Sequence, residues 1–404
     1  MRRISIALLA AAAAVMVAGC EKKTQTGGDS GATKAPATGP AASQGNAPAT
    51  GGDTILIGEV GSLTGAEATF GISTQRGIEL AINQANAAGG VNGKKIAVRV
   101  YDDQSKPEEA GNAATRLITQ DKVKLILGEV ASSNSLAMAE KAQAAGVPMI
   151  TPSSTNPSVT QKGDYIFRVC FIDPFQGFVM AKFARENLKL TNVAVLQDNK
   201  SAYSIGLTEV FTKKFPELGG KIVAQESYSK GDTDFRAQLT ALKKSKPEAI
   251  YVPGYYSDVG LIARQARELG LRGVPLLGGD GWDSPKLFEL AGSAIEGSYF
   301  SNHYATDNPA PETQSFIAEY KKAYGEVPDA LAALGYDAAR VAVDAMKRAK
   351  DLSGPALREA IAQTRDFPGA AGKVTLDQDR NAVKSAVVLQ ISDAKYKFVA
   401  TITP

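Results

Sequence analysis

The sequence predicts an α/β protein with two doubly wound parallel-sheet lobes joined by a multi-segment hinge. From residue 54 onward, short apolar strands alternate with amphipathic helices, and the alternation restarts once, near residue 192. Repeated strand–helix units with short loops indicate parallel sheets that carry helices on both faces. The stretch 54–404 also exceeds what one hydrophobic core usually serves, so two domains are expected.

The chain begins with the features of an export signal. Arg2 and Arg3 precede an uncharged apolar run that ends in Val-Ala-Gly before Cys20. The run is too short for a membrane span, so residues 1–19 are predicted to be a signal peptide. Its end resembles a bacterial lipobox, which implies cleavage before Cys20 and lipid on the Cys20 sulfur. The alternative is a plain signal peptide with a cysteine there by chance.

Residues 20–53 are predicted to be the lipidated cysteine and a disordered tether. Between Glu21 and Asp53 there is no Val, Ile, Leu, Met, Phe, Tyr or Trp. Such a segment cannot bury enough apolar surface to offset its ordering entropy. The folded part is therefore expected to begin near Thr54.

The first strand–helix run covers 54–171. One helix shows apolar residues at helical spacing before Gly89, and another is expected to start at a capping box formed by Ser105 and Glu108. A third helix is expected to end at Gly146, a residue typical of helix ends. Strands are predicted at 54–60, 96–100, 124–127 and 148–151.

The second run covers 172–301, and the remaining residues are too few for a third core. Residues 302–380 are assigned to the N-terminal lobe with 54–171, and 381–404 to the C-terminal lobe with 172–301. The tail is helix-rich to about residue 364 and strand-like afterwards. Strands are predicted at 192–196, 221–226, 249–252, 275–277, 373–376, 386–391 and 397–402, and helices before 219, at 234–244 and at 258–269.

Charge and cysteine content exclude several classes of protein. The chain has 45 Lys and Arg against 42 Asp and Glu, with no basic stripe that would indicate nucleic-acid binding. Cys170 has no free partner if Cys20 is lipidated, and its apolar surroundings predict a buried small hydrophobe. His303 is the only histidine, which excludes a multi-histidine metal site, and no metal or cofactor is expected.

Polar residues follow the predicted strands, where open parallel sheets bind their ligands. Ser132 opens a helix, and a helix start suits a small anion such as a carboxylate. The loop at Ser154 and Thr155 offers further donors, although these serines could be only a helix cap and a turn. Asp280, between two glycines, could pair with an ammonium group or be an N-cap or a solvated loop acid. Tyr203 could line the site or belong to the core.

Over 54–404 the chain resembles the periplasmic binding proteins for branched-chain amino acids, the capture components of ABC importers. The resembling strings include Gly-Gly-Val-Asn-Gly-Lys-Lys, Ser-Thr-Asn-Pro at 154–157 and Gly-Tyr-Tyr at 254–256. The resemblance implies a type I periplasmic binding fold and a role for each candidate residue. It implies that the ligand α-carboxylate is held by Ser132, Ser154 and Thr155, the α-ammonium by Asp280 with Tyr203 and Tyr255, and the side chain by Phe70 and Val130.

The chain departs from the family pattern at positions that affect the expected identity of the ligand more than the expected class of ligand. Asp280 stands where some relatives have Glu, so the ammonium must lie closer or be bridged by water. Ser105 and Ala131 occupy the places of a disulfide found in some relatives. Trp282 is expected beside the cleft, where it could narrow the pocket.

The resemblance implies a monomeric lipoprotein that binds a Leu, Ile or Val-type amino acid and delivers it to ABC permease subunits. Alternatives are another small carboxylate, such as a polar or γ-amino acid or an aromatic acid, or a sensor domain without transport. An enzyme is not expected, because the glycines do not follow G-x-G-x-x-G or P-loop spacing and no G-x-S-x-G elbow occurs.

Overall fold

Five parallel strands form the first sheet of the computed structural model, which describes residues 54–404. The predicted signal peptide, lipidated Cys20 and tether lie outside these residues. The strands are β1 (Thr54–Gly61), β2 (Lys95–Asp102), β3 (Ile126–Leu127), β4 (Met149–Thr151) and β5 (Ile166–Arg168), in the order β2-β1-β3-β4-β5. The connecting helices are α1 (Ala68–Ala87), α2 (Pro107–Thr119) and α3 (Ser132–Ala145).

Seven strands form the second sheet. Five are parallel, and two antiparallel strands at the end of the chain extend one edge. They are β6 (Asn192–Asp198), β7 (Lys221–Tyr228), β8 (Ala249–Tyr251), β9 (Leu276–Gly278), β10 (Tyr299–Asn302), β11 (Ala386–Ser392) and β12 (Lys395–Ile402), in the order β12-β11-β10-β9-β8-β6-β7. The helices of this part are α4 (Asp173–Lys182), α5 (Ala202–Glu217), α6 (Arg236–Lys244), α7 (Tyr256–Glu268) and α8 (Pro285–Ala291).

Three further helices return to the first sheet: α9 (Pro311–Tyr324), α10 (Ala330–Arg348) and α11 (Gly354–Ala362). Their apolar side chains share a buried core with β1 and α1. Helices α1 and α10 approach closely because glycines lie at their crossing. A Cβ on Gly77 would stand 2.0 Å from the Ala332 carbonyl oxygen, and one on Gly335 would stand 2.4 Å from the Thr74 carbonyl oxygen.

We call the five-stranded sheet with its packed helices the first lobe, and the seven-stranded sheet with its helices the second lobe. The chain passes from the first lobe to the second after β5, back after β10, and forward again before β11. A bilayer-spanning helix is absent from residues 54–404, since none of their helices is both long and apolar enough.

The predicted α/β class is confirmed, and most elements agree within a few residues. The predicted strand at 373–376 is wrong: Val374 and Leu376 make only isolated bridges. The predicted capping box is also wrong. Ser105 has φ of +61° and lies before the helix, and its Oγ donates to the Thr64 carbonyl oxygen (3.0 Å) and accepts from the Glu67 amide (3.1 Å). Ser105 therefore joins the β1–α1 loop to the loop after β2.

Candidate functional site

A small cavity lies between the two lobes at the ends of their strands. It has about 240 Å³ of empty space, counted out to where it opens to solvent. Five of the predicted site residues line it together, and three residues that sequence reasoning did not name complete the wall. The predicted ones are Phe70, Val130, Tyr203, Tyr255 and Asp280, and the others are Ser153, Gly281 and Leu331.

Asp280 is a buried carboxylate held by three side-chain donors, and it is only 6% exposed. Its Oδ1 accepts from Gln176 Nε2 (2.7 Å) and from the Tyr203 hydroxyl (2.8 Å). Its Oδ2 lies 2.8 Å from His303 Nε2. The alternative of a solvated loop acid is therefore wrong. Burial without such donors would be costly, so the three bonds allow a carboxylate to persist at the cavity wall.

His303 and Gln176 hold Asp280 without lining the cavity themselves, and sequence reasoning missed this role of both. The His303 ring stacks on Phe171 with centroids 3.8 Å apart, in the segment where the chain leaves the first lobe. Burial lowers the pKa of His303, although the bond to Asp280 opposes this effect. The ring is then neutral near pH 7, donates through Nε2–H and adds no positive charge. The only sequence feature that distinguished His303 is that it is the single histidine of the chain.

An aromatic wall spans both lobes. The Tyr203 and Tyr255 rings stack with centroids 5.0 Å apart. Phe70 of the first lobe meets Tyr255 edge-on at 5.7 Å and Tyr256 at 4.9 Å. Burial, followed by the Asp280 charge, raises the pKa of the Tyr203 hydroxyl well above its ordinary value. Tyr203 therefore stays protonated and donates to Asp280, while its oxygen accepts from the Gly281 amide (3.0 Å).

The hydroxyl loop after β4 turns one predicted residue away from the cavity. Ser154 Oγ donates to the Val130 carbonyl oxygen (2.8 Å) and lies 2.7 Å from Ser135 Oγ. The expectation that Ser154 faces the ligand does not fit these contacts, since its hydroxyl is used inside the first lobe. The neighbouring Ser153 lines the cavity, and its Oγ has no hydrogen-bond partner among residues 54–404. Alternating directions of adjacent side chains explain why the sequence suggested the wrong serine.

Ser132 and Thr155 are buried beside this loop and are not among the residues that line the cavity. Ser132 is the first residue of α3, and its Oγ accepts from the Asn156 amide (3.3 Å). The first N–H groups of a helix have no partner within the helix. Thr155 Oγ1 has no partner within the described part of the chain. Both residues thus lie at the helix start that the sequence predicted to suit an anion.

Arg168, at the end of β5, holds the loop after β4 in place. The side chain is fully buried, and burial lowers its pKa. The guanidinium donates to the carbonyl oxygen of Asn156 (2.8 Å) and to Thr160 Oγ1 (3.2 Å), and it also donates to the carbonyl oxygen of Ser154. These acceptors are mostly backbone atoms, so the arginine sets the path of the loop itself. The sequence showed only an arginine inside an apolar string.

Two further expectations concern cysteine and tryptophan. Cys170 is fully buried, as predicted for a small hydrophobe. Trp282 does not border the cavity, so the expectation that it narrows the pocket is wrong. Its ring points into the second lobe, where Nε1 donates to the Val252 carbonyl oxygen (3.1 Å) and the ring stacks on Phe300.

Within residues 54–404, no group of three or more His, Cys, Asp or Glu side chains could hold a metal ion.

Polar contacts cross the cleft around the cavity. Asn156 Nδ2 of the first lobe donates to the Ala202 carbonyl oxygen (2.7 Å). The Thr69 hydroxyl lies 2.8 Å from Ser284 Oγ. Lys230, in the loop after β7, donates to the Glu67 carboxylate (2.9 Å) of the first lobe. These contacts hold the lobes in a closed arrangement.

The sequence matches the family model described as periplasmic binding protein over residues 54–396. The chain belongs to the periplasmic binding proteins. The family and the type I fold are those of substrate-binding proteins. The binding protein for leucine, isoleucine, valine, threonine and alanine from Pseudomonas aeruginosa is 33% identical over 328 residues, which are 81% of this chain and 86% of that protein.

Solved structures support the same assignment. A leucine-binding protein from Thermotoga maritima has a TM-score of 0.84 and 42% identity, and the match covers 87% of this chain and 99% of that one. The branched-chain amino-acid transporter substrate-binding protein LivJ from Streptococcus pneumoniae, solved with isoleucine, has a TM-score of 0.82 and 35% identity. That match covers 87% of this binding protein and all of its neighbour (100%).

Truncation of the two adjacent serines should affect the free energy of unfolding differently. Ser154→Ala should lower the free energy of unfolding by about 1–3 kcal/mol, because buried partners of its hydroxyl lose a hydrogen bond. Ser153→Ala should leave stability nearly unchanged, since the Ser153 hydroxyl has no partner in the described structure. Urea unfolding of both ligand-free variants measures the difference, and equal losses would contradict the assigned orientations.

Proposed function

We propose that this protein is an exported solute-binding lipoprotein that captures an aliphatic amino acid of the Leu, Ile and Val type and delivers it to an ABC importer. The observation that carries the proposal is the buried Asp280 carboxylate at one wall of a small, largely apolar cavity between the lobes. The names of the leucine-binding and branched-chain amino-acid relatives point to the same ligand class.

The ammonium group of the ligand would bind Asp280. The carboxylate already accepts three hydrogen bonds, yet it borders the cavity together with the Tyr203 and Tyr255 rings. Because His303 is neutral, no side chain in direct contact with Asp280 supplies the positive charge that would balance it. An ammonium group would supply that charge, and the aromatic faces favour a cation as well.

The α-carboxylate would bind on the first lobe. The start of α3 at Ser132 offers unpaired N–H groups and a partial positive charge. Ser153 and Thr155 add hydroxyls that have no partner within residues 54–404. Ser153 takes the place of Ser154 in the earlier expectation of Ser132, Ser154 and Thr155, and Ser154 would act only through the fold of the loop.

The apolar remainder of the cavity would take the ligand side chain. Phe70, Val130 and Leu331 line it with no polar group of their own. The wall is largely apolar and has room for little more than a short aliphatic side chain, which suits a small amino acid better than a larger ligand. An aromatic acid without an amine would leave Asp280 uncompensated, so this alternative is disfavoured.

We also propose that the ligand is trapped by closure of the lobes, and that they divide near residues 171, 301 and 380, where the chain crosses between the sheets. Each lobe supplies part of the cavity wall, so the complete set of contacts forms only when both meet. A ligand shifts such an equilibrium by binding the closed state more tightly. We expect a monomer without catalytic activity that docks to permease subunits.

Asp280→Asn should abolish high-affinity leucine binding. Leaving a buried ammonium unpaired costs about 2–5 kcal/mol, which corresponds to a roughly thirtyfold to several-thousandfold weaker affinity. Calorimetry on the purified protein measures this, with Asp344→Asn at a half-exposed position of α10 as the matched control. Leucine affinity within about threefold of wild type would show that Asp280 does not meet the ligand amine. Binding of benzoate by both proteins would instead favour the aromatic-acid alternative.

Lys230→Met should weaken leucine binding without changing any residue that lines the cavity. Lys230 is not among the lining residues, and its bond to Glu67 joins the two lobes. Loss of a hydrogen bond between charged groups should reduce affinity by roughly tenfold, because the closed state is less favoured. X-ray scattering should show a smaller compaction at a fixed, subsaturating leucine concentration. Lys286→Met, which breaks an ion pair within the second lobe, is the control; equal effects would contradict the closure mechanism.

Cys20→Ser should release the protein from membranes. The proposed anchor is lipid on the Cys20 sulfur, and the serine hydroxyl cannot replace it. Fractionation of cells that express each form measures the soluble share, and Cys170→Ser, at the buried cysteine of the fold, serves as a control. A Cys20→Ser protein that still sediments with membranes would contradict the lipid anchor but leave the ligand site untouched.

A further inference from the structure

A second cavity lies between the lobes and shares no lining residue with the first. It encloses about 1170 Å³ of empty space, counted out to where it opens to solvent. Its wall comes from the turn before α8, the segment after β10, the loop between α9 and α10, and the start of β12. Both lobes therefore contribute to it, as they do to the first cavity.

The deepest charged group at this wall is Asp283, which is 3% exposed. Its Oδ2 accepts from Asn302 Nδ2 (2.8 Å) and from the Ala330 amide of the first lobe (2.8 Å). Its Oδ1 accepts no hydrogen bond from residues 54–404. Asp283 lines the cavity, so this oxygen is available to a bound group. The oxygen reaches the cavity and is not enclosed by protein, so a donor on a bound group could bond to it without rearrangement of Asp283.

Further acids surround the same space. Asp329 accepts from Ser73 Oγ (2.6 Å) and caps α10 through the Ala332 amide (2.8 Å). Burial, and then the nearby Asp283 charge, raises the pKa of Asp329 to about 7. Asp307 and Glu326 lie at the wall as well, and Glu326 pairs with Arg76 (2.9 Å). The cationic residue in the lining is Lys395. Acids therefore outnumber cations in the lining, with Glu326 paired to Arg76 and Asp329 partly protonated near pH 7.

Aromatic rings supply the rest of the wall. Phe288 and Tyr396 pack at 4.9 Å between centroids, and Tyr304 and Tyr320 line the same space. The faces of such rings attract cations, and the attraction strengthens when the cation is desolvated. Carboxylates combined with aromatic rings are the usual surroundings of a bound ammonium group. An anionic ligand would meet Asp283 and Asp307 with only Lys395 in the lining to attract it, and would be disfavoured.

We propose that this cavity is a second ligand site that takes a small organic cation, a primary or quaternary ammonium compound with a short aliphatic part. Its cationic group would bind Asp283 Oδ1, and its aliphatic part would pack on Phe288 and Tyr396. Because both lobes form the wall, a bound cation favours the closed arrangement. By linkage, it should tighten leucine binding, and leucine should tighten its binding.

The test uses tetramethylammonium, choline and n-butylammonium as probes on the mature protein saturated with leucine. Calorimetry should show at least one of them binding in the micromolar to millimolar range. Butyrate, an anion of similar size to n-butylammonium, should not bind. Asp283→Asn should weaken the cation at least about tenfold, whereas Glu289→Gln on the exposed face of α8 should not.

A second variant keeps the test decisive if Asp283→Asn is unstable. Lys395 is exposed, so Lys395→Met should fold, and loss of its repulsion should tighten cation binding severalfold. Asp280→Asn should lose leucine binding but keep the cation. Three outcomes would overturn the proposal: no probe binds, the probes compete with leucine for one site, or neither Asp283→Asn nor Lys395→Met changes their affinity.

Discussion

The geometry of the first cavity between the lobes depends on one buried carboxylate. Asp280 follows β9 and keeps its place through donors from three separate elements: Gln176 of α4, Tyr203 of α5 and His303 after β10. A buried carboxylate is costly without donors, so each of these side chains is constrained to face it. His303 in turn stacks on Phe171, in the segment that leaves the first lobe. The wall that would meet an ammonium group is therefore tied to the crossing segments of the chain.

The first-lobe wall of this cavity is held in place by side chains that do not line the cavity themselves. The loop after β4 has few apolar anchors, and Arg168 replaces them with bonds to its backbone carbonyl oxygens. Glu129 performs a similar role at the start of α3, where it accepts from the Ala131 amide (2.6 Å) and the Ser62 amide (3.0 Å). Burial and the nearby Asp103 raise the pKa of Glu129. With both walls rigid, closure can be a movement of whole lobes.

One short turn carries an acid toward each cavity. Asp280 begins the turn and borders the first cavity, while Asp283 follows it and borders the second one. Between them, Trp282 is buried in the second lobe and fixes the turn through the Val252 carbonyl oxygen. Asp283 also bonds to the Ala330 amide of the first lobe. A change in the separation of the lobes would therefore change the position of this turn and of both acids.

The sequence by itself determined the α/β class, the alternation of elements and the expectation that polar residues at strand ends, Asp280 among them, lie at one edge of the sheets. Those features follow from local apolar periodicity and from the rule that polar loops at strand ends share an edge of the sheet. Only the tertiary structure decided that Ser153 rather than Ser154 borders the cavity, because one residue of register reverses a side chain. It alone brought His303 to Asp280, since contacts between residues so far apart in the chain leave no local pattern.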